Sequence, residues 1–483
     1  MKGADLMEKS GLFSTIRFLE DRDYDRIHRA SLKILAETGV VFQNDKAVEI
    51  FKKHGAKTEG QRVYITEEMV TQAISTLPRT YQFHSRNPEK TVTVGKDFCV
   101  QPNAGAVYIQ DTDHGRRLAT IDDYGNMMRL AQASDVINIV GAHPLNPANV
   151  PDEFKHLYMG YEVLKNSDKP ALGWAMTGKS AKEYLDMIQI SMGQTPGEKT
   201  DIQFANFSAN PLSPLSWAND TLESMMEYCR RGQGVYLLPC IMAGLTGPMK
   251  PLGMMVLQNT EVLSGIVLCH LIDPTVPIIY TPSSTVGYMK RASYITGTPD
   301  MSLINAPLLL MAHEYYHMPS RCMCGMTDAK VPDMQAGLET MQNILMAVFA
   351  EVDMINECLG VLDAIMTVSY EKHIIDEEII KRCLYMREGI DLSDEALSVD
   401  IIKEVGPGGT YLTHPNTFEH FRETFDNSIS ECESYADWEA EKLDVIQRAN
   451  ARFKEILANA PETMLDQTTD QDLRNYMEKC MKP

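Results

Sequence analysis

The sequence has no long uncharged apolar run. The nearest approach to one, Met254–Leu271, is broken by Glu261, and about 18 uninterrupted apolar residues are needed to span a bilayer. No membrane crossing is expected. The first residues, Met1-Lys2-Gly3-Ala4-Asp5-Leu6-Met7-Glu8, lack an apolar core and a cleavage-site pattern, so they do not read as a secretion signal. A Gly-x-Gly-x-x-Gly turn is missing, which disfavours a dinucleotide-binding sheet. Internal repeats and low-complexity stretches are also missing. Positive charge is in deficit: 45 Lys and Arg face 66 Asp and Glu, a net charge of −21. That balance repels phosphate backbones, so nucleic acid is not an expected partner, whereas a cationic small molecule would be drawn in. Ten cysteines are scattered without a disulfide-framework spacing. They point to reduced, buried thiols and a cytoplasmic protein. What remains is an ordinary globular composition, 44% hydrophobic and 23% charged over 483 residues. A chain of that length buries enough surface to need no covalent staples.

The chain divides by pattern. Residues 1–96 read as a small α+β segment. Ile27, Leu32, Ile34 and Leu35 lie on a helix stopped at Thr38-Gly39, and a second helix carries Ala47, Val48, Ile50 and Phe51. Thr66 caps a third, and two strand-like runs flank Arg86–Lys90. Residues 97–366 change register. Eight short apolar runs alternate with amphipathic helices: Cys99–Gln101, Val136–Val140, Ala171–Trp174, Gln203–Phe207, Val235–Leu238, Pro277–Tyr280, Arg321–Cys324 and Asp353–Asn356. Buried strands alternating with helices predict a parallel sheet. Eight units in this length predict an α/β fold of the TIM (β/α)8 barrel type, usually about 250 residues. Residues 367–483 read as a helical C-terminal tail that packs on the barrel or builds an oligomer contact. Trp438–Ala458 is expected to be one long amphipathic helix in it.

Barrel enzymes place their chemistry at the C-terminal ends of the strands. Here those ends carry small residues, amides, hydroxyls and aromatic rings. Acid–base groups are few: His143, Asp328 and Glu357. A hydrolase would show more of them. Such a mouth suits a neutral or cationic ligand. Tyr108, Trp174, Phe207 and Tyr280 are the rings expected to cage a quaternary ammonium, at about 0.5–2 kcal/mol per ring.

Several ordered motifs resemble one family. They are Ala36-Glu37-Thr38-Gly39-Val40, Met242-Ala243-Gly244-Leu245-Thr246-Gly247-Pro248, Gln258-Asn259-Thr260-Glu261, Pro319-Ser320-Arg321 and Thr327-Asp328-Ala329-Lys330. Ser369-Tyr370-Glu371-Lys372, Lys403-Glu404-Val405-Gly406-Pro407-Gly408-Gly409 and Leu412-Thr413-His414-Pro415 complete the set. Together they resemble the trimethylamine methyltransferase superfamily over nearly the whole chain. The resemblance implies a barrel that demethylates methylamines, with cobalamin on a separate corrinoid protein as methyl acceptor and no cofactor bound by the chain itself. The founding enzymes carry pyrrolysine. Only standard residues occur here, so the sequence looks like the non-pyrrolysine branch, which acts on quaternary amines such as glycine betaine, proline betaine, carnitine or γ-butyrobetaine. No catalytic residue carries over from the pyrrolysine enzymes. For a betaine, Asn103, His143, Asn206, Asn210, Ser283, Thr327 and His414 are the expected carboxylate donors, and Glu357 is expected to meet the ammonium or a substrate hydroxyl. A homo-oligomer is expected.

Three other readings compete. His313-Glu314-Tyr315-Tyr316-His317 matches the H-E-x-x-H pattern of zinc hydrolases, in which two His one turn apart hold the metal. The helix carrying it should lie outside the barrel and end at the face opposite the mouth, and no third ligand is evident. Cys322-x-Cys324 places two thiols on one side of a strand, where core packing explains them as well as metal does. A barrel that binds quaternary amines without catalysis is the third alternative; it would fail to methylate cob(I)alamin.

Overall fold

A computed structural model describes residues 9–10, 17–141 and 143–482. Its centre is a ring of eight short parallel strands. They are β1 (Cys99–Val100), β2 (Val140–Gly141), β3 (Ala171–Leu172), β4 (Asn206–Ala209), β5 (Gly234–Leu237), β6 (Ile278–Tyr280), β7 (Arg321–Met323) and β8 (Met354–Asn356). Laddered parallel pairs join β2 to β3, β4 to β5 to β6, and β7 to β8 to β1. The three remaining seams are bridged by isolated backbone hydrogen bonds rather than ladders. Gly173 N donates to Asn206 O (2.9 Å), Tyr280 N to Pro319 O (3.0 Å) and Ile139 N to Val100 O (3.3 Å). Each of the eight expected runs contains or overlaps one of these strands.

Helices cover the ring: α1 (Ile121–Ala133), α2 (Lys155–Asn166), α3 (Gly178–Ser191), α4 (Asn219–Arg230), α5 (Pro251–Ile272), α6 (Pro299–Glu314), α7 (Met334–Phe349) and α8 (Tyr370–Glu388). The sequence-level boundary at 366 put α8 in the tail; it is the eighth barrel helix and packs on α7. Helix α5 is buried on nearly every side because the N-terminal segment covers its outer face. Helices Asp21–Glu37, Asp45–Lys53 and Glu67–Ser75 all pack on it. It is long and apolar enough to cross a membrane, but 83% of its apolar window is buried inside the protein.

The antiparallel hairpin Tyr81–Phe83 and Val92–Val94 closes the N-terminal end of the ring. Its Tyr81, Phe83, Val92 and Val94 pack against Cys99, Ile139, Leu172, Ile279 and Met354, the lowest residues pointing into the barrel. At the C-terminal end of the chain, helix Val445–Asn459 packs against both α8 and α1, and Gln467–Met481 packs on α3. The single long helix expected over Trp438–Ala458 does not form. Lys442 is left-handed (φ 56°) and separates Tyr435–Glu441 from Val445–Asn459, where Asp444 caps the new helix start by accepting from Gln447 N.

Candidate active site

Above the hairpin plug, the barrel interior turns polar. Gln101 Nε2 and Asn206 Nδ2 donate to the Tyr236 hydroxyl (3.0 and 3.2 Å). Arg321, 2% exposed, donates from Nε to Gln101 Oε1 (2.7 Å) and lays its guanidinium 4.7 Å from the centre of the Tyr236 ring. With its amide oriented to satisfy both neighbours, Asn356 accepts from Arg321 Nη2 (2.8 Å) and donates to Cys322 O (3.0 Å). A buried guanidinium is expensive to desolvate, so its partners must be numerous and well placed. Here they are, save at Nη1, which has no hydrogen-bond partner.

The next level up holds Cys240 and Glu357. Cys240 Sγ lies 3.9 Å from Met323 Sδ. Glu357, 1% exposed, follows β8 in a left-handed conformation (φ 52°). That geometry costs a non-glycine residue about 1–2 kcal/mol, and such strain gathers at functional sites. It breaks the in–out alternation of the strand and turns the carboxylate toward Arg321 and Cys240, whose protonation equilibria it influences. Gly325 makes room for the turn: a Cβ there would stand 2.1 Å from Cys358 Cα. Burial pushes the Cys240 thiol up to about 12, with Glu357 adding to the rise, which holds the sulfur as the neutral thiol.

A second hairpin covers the mouth. Its strands, Thr285–Tyr288 and Ser293–Tyr294, are antiparallel, and Thr285 pairs with Met242 beyond β5. Tyr294 lies within electrostatic reach of Cys240, Glu357, Asp328 and Cys322, and its buried hydroxyl has no hydrogen-bond partner. Asp328 anchors this cover from beside β7 by accepting from Thr296 N (3.0 Å) and Gly297 N (2.9 Å).

The predicted rings do not assemble into one cage. Phe207 follows the inward Asn206 and so points outward, stacked on Tyr228 of α4 (5.1 Å). Tyr280 also faces the helix layer, stacked on Tyr316 (6.0 Å) and donating to Asn259 Oδ1 of α5 (2.9 Å). Tyr108 is covered by the Arg116 guanidinium, 3.5 Å from its ring centre. Trp174 stands at the rim after β3, lining a cavity of about 270 Å³ with Asp152, Glu153, His156 and Met176.

The expected carboxylate donors are also dispersed. Both amide atoms of Asn103 are engaged by the Leu359 backbone. Asn206 serves Tyr236 inside the barrel, and Asn210 is exposed at the rim, its amide 3.9 Å from Cys240 Sγ. Ser283 is buried with its N–H donating to Gln258 of α5 (3.2 Å). Thr327 donates to Glu339 (2.5 Å). His414 caps the short tail helix Pro415–His420, accepting from Asn416 N (3.1 Å). The His143 side chain lies outside the described residues. Glu357 is thus brought together with two residues that sequence reasoning passed over, Arg321 and Tyr294. A signal for Arg321 was present: it is the one charge in the apolar run Arg321–Cys324.

No zinc site forms from the H-E-x-x-H motif. Helix α6 ends at Glu314, and His317 is left-handed (φ 56°), so the two imidazoles do not share a helical face. His313 Nε2 is held by Ser320 Oγ (2.9 Å) and Asp353 (3.2 Å), at the end of the barrel away from the mouth. Cys322 and Cys324 are buried in the main apolar core, where burial drives both thiols far toward their protonated form. Among the described residues, the group of acidic and His side chains close enough to share an ion is Asp111, Asp113 and His114. It is a surface turn: Asp111 Oδ1 accepts from the N–H groups of residues 113 and 114, and Asp113 pairs with Lys454 (2.6 Å).

A family model described as trimethylamine methyltransferase matches residues 6–482. The chain belongs to the trimethylamine methyltransferase family. Its relatives within this methyltransferase family include the glycine betaine methyltransferase of Desulfitobacterium hafniense, 35% identical over 96% of this chain and 97% of that one. The proline betaine:corrinoid methyltransferase of Eubacterium limosum is 31% identical over 95% and 97%. Among solved structures, the monomethylamine methyltransferase of Methanosarcina barkeri superposes with a TM-score of 0.54, covering 92% of this chain and 88% of that one at 11% identity. That likeness is one of fold, and it matches the strand ring described above.

Proposed function

We propose that this cytoplasmic methyltransferase removes a methyl group from a betaine-type quaternary amine and delivers it to the Co(I) corrinoid of a partner protein. The observation that carries the reading is the mouth of the barrel: a buried carboxylate, Glu357, under an aromatic cover, in a chain related throughout its length to betaine methyltransferases. Cobalt supplies the nucleophile when the partner docks over the strand ends; the chain's own residues bind, orient and dry the amine. The leaving group is a neutral tertiary amine, so no general acid is needed, which fits the scarcity of acid–base groups. Positive charge on nitrogen is cancelled as the methyl departs, so a water-poor chamber favours the transition state over the ground state. Glu357 faces the ammonium, and holding the methyl in line supplies much of the rest. Trp174, beside Asp152 and Glu153 at the rim, attracts the cation on its way in. Free thiols throughout and a chain that associates with itself complete the reading.

The test is a panel of glycine betaine, proline betaine, carnitine and γ-butyrobetaine incubated with the protein and free cob(I)alamin under anaerobic, reducing conditions. Methylcobalamin, followed by absorbance, is expected with at least one of them. Binding of a betaine without any methylcobalamin would leave a non-catalytic amine-binding protein instead.

A further inference from the structure

Two buried hydrogen-bond donors at the heart of the barrel have nothing to donate to: Arg321 Nη1 and the Tyr294 hydroxyl. Leaving a buried donor unpaired costs about 1–3 kcal/mol, more when it is charged, so two in one place call for a reason. Both groups have Glu357, Cys240 and Cys322 as electrostatic neighbours. Arg321 is fixed from below, with Nε on Gln101, Nη2 on Asn356 and its plane against Tyr236. The segment that follows Tyr294 is fixed from above, where Asp328 accepts from the backbone N–H groups of Thr296 and Gly297. A guanidinium held on two sides with a free nitrogen is pre-organised for a planar anion.

We propose that Arg321 Nη1 and the Tyr294 hydroxyl are the receptor for the carboxylate of the substrate, and that Arg321 and Glu357 together match the two ends of a zwitterion. This rests on the betaine reading above and deepens it: named side chains take the carboxylate that separates a betaine from a choline-like alcohol. It also sets the orientation. The carboxylate points down to the guanidinium and the trimethylammonium head lies toward the mouth. Bringing Arg321 and Glu357 to one chamber also explains how each buried charge is tolerated, since each offsets part of the other's field.

The experiment is a calorimetric titration of the full-length protein with three ligands of one shape class. Glycine betaine has both charges, choline has only the cation, and 3,3-dimethylbutanoate has only the carboxylate. Glycine betaine is expected to bind about 10–100-fold more tightly than choline, the range of a charge-assisted pair. Arg321→Gln should abolish that preference while choline binds as before or better, because a repelling charge is gone. Tyr294→Phe, which keeps the ring and removes only the hydroxyl, should lower the preference by about 3–10-fold and guards against misfolding of the Arg321 variant. Equal binding of betaine and choline, or a preference that survives both substitutions, would overturn the carboxylate receptor while leaving the quaternary-amine reading intact. Arg321-dependent binding of 3,3-dimethylbutanoate with no binding of either amine would do the reverse: the receptor stands and the amine reading falls. No binding of any of the three, nor of proline betaine, carnitine or γ-butyrobetaine, overturns both.

Discussion

Glu261 shows what a single buried group does to this protein. It sits in α5, wholly inside, and accepts from Ser213 Oγ (2.7 Å) and Leu215 N (2.7 Å), pinning the loop that leaves β4. Burial pushes its carboxyl up to about 7, against the lowering effect of those two hydrogen bonds. The folded state therefore holds a proton that the unfolded chain releases near pH 4.5. Stability falls as pH rises through the window from 4.5 to about 7, by on the order of 3 kcal/mol when the window has been crossed. Glu261→Gln keeps an acceptor for Leu215 N and removes the titration. Melting temperature followed from pH 5 to 8 should fall less steeply in the variant, which should match or exceed the wild type at pH 8; parallel curves would refute it. At this scale the sequence singles out Glu357 as a lone carboxylate at a strand end, and the structure buries it there. Phe207 and Tyr280 were misread because being near a strand's end does not fix which side a ring takes. The in–out alternation beside Asn206 would have sent Phe207 outward.

Among the elements, the join between α8 and the tail depends on one carboxylate. Glu378 of α8 accepts from Ile429 N (2.6 Å), Ser430 N (3.1 Å), the Ser428 and Ser430 hydroxyls and Arg382 (2.8 Å). Burial opposes its ionisation, yet the bonds from Ser430, Arg382 and Ile429 outweigh it and hold its carboxyl at about 2. A carboxyl lowered in this way stabilises the fold above its ordinary value near 4.5, and that contribution is lost as pH falls through about 2. Glu378→Gln should cost about 2 kcal/mol at pH 7 in urea denaturation and little near pH 2. It should also expose residues 428–443 to limited proteolysis; an unchanged cleavage pattern would mean that other contacts hold the tail. The barrel strands were readable because a buried parallel strand is a short run of uninterrupted apolar residues. The tail was harder: helical periodicity continues across residues 438–458, and nothing in it marks Lys442 as the residue that leaves the helix. Amphipathic pattern reports which face is buried, not where the backbone turns.

For the whole molecule, one stretch of the tail leaves several apolar side chains bare. Leu392, Leu397, Ile402, Leu412, Phe418 and Phe421 are each more than half exposed, more than a lone soluble chain ordinarily leaves bare in one segment. Under the proposed self-association, sedimentation should give a multiple of the 54.3 kDa chain, and Leu412→Asp with Phe418→Asp should shift it toward the single chain. A wild-type mass of one chain would remove the proposal. The ring was legible as a whole because eight alternating units leave little choice of architecture. The proposed receptor was not, since Arg321 and Tyr294 come from segments far apart in the chain and both act on Glu357 only after folding. The hairpin under the ring carries one last consequence. A vessel stoppered at its base fills and empties through a single neck. Under the proposed reaction the amine must go in before the cobalt partner seals that neck, and the spent amine must wait for the partner to withdraw. Order of arrival is thus imposed by the stopper, at the end of the barrel remote from the chemistry.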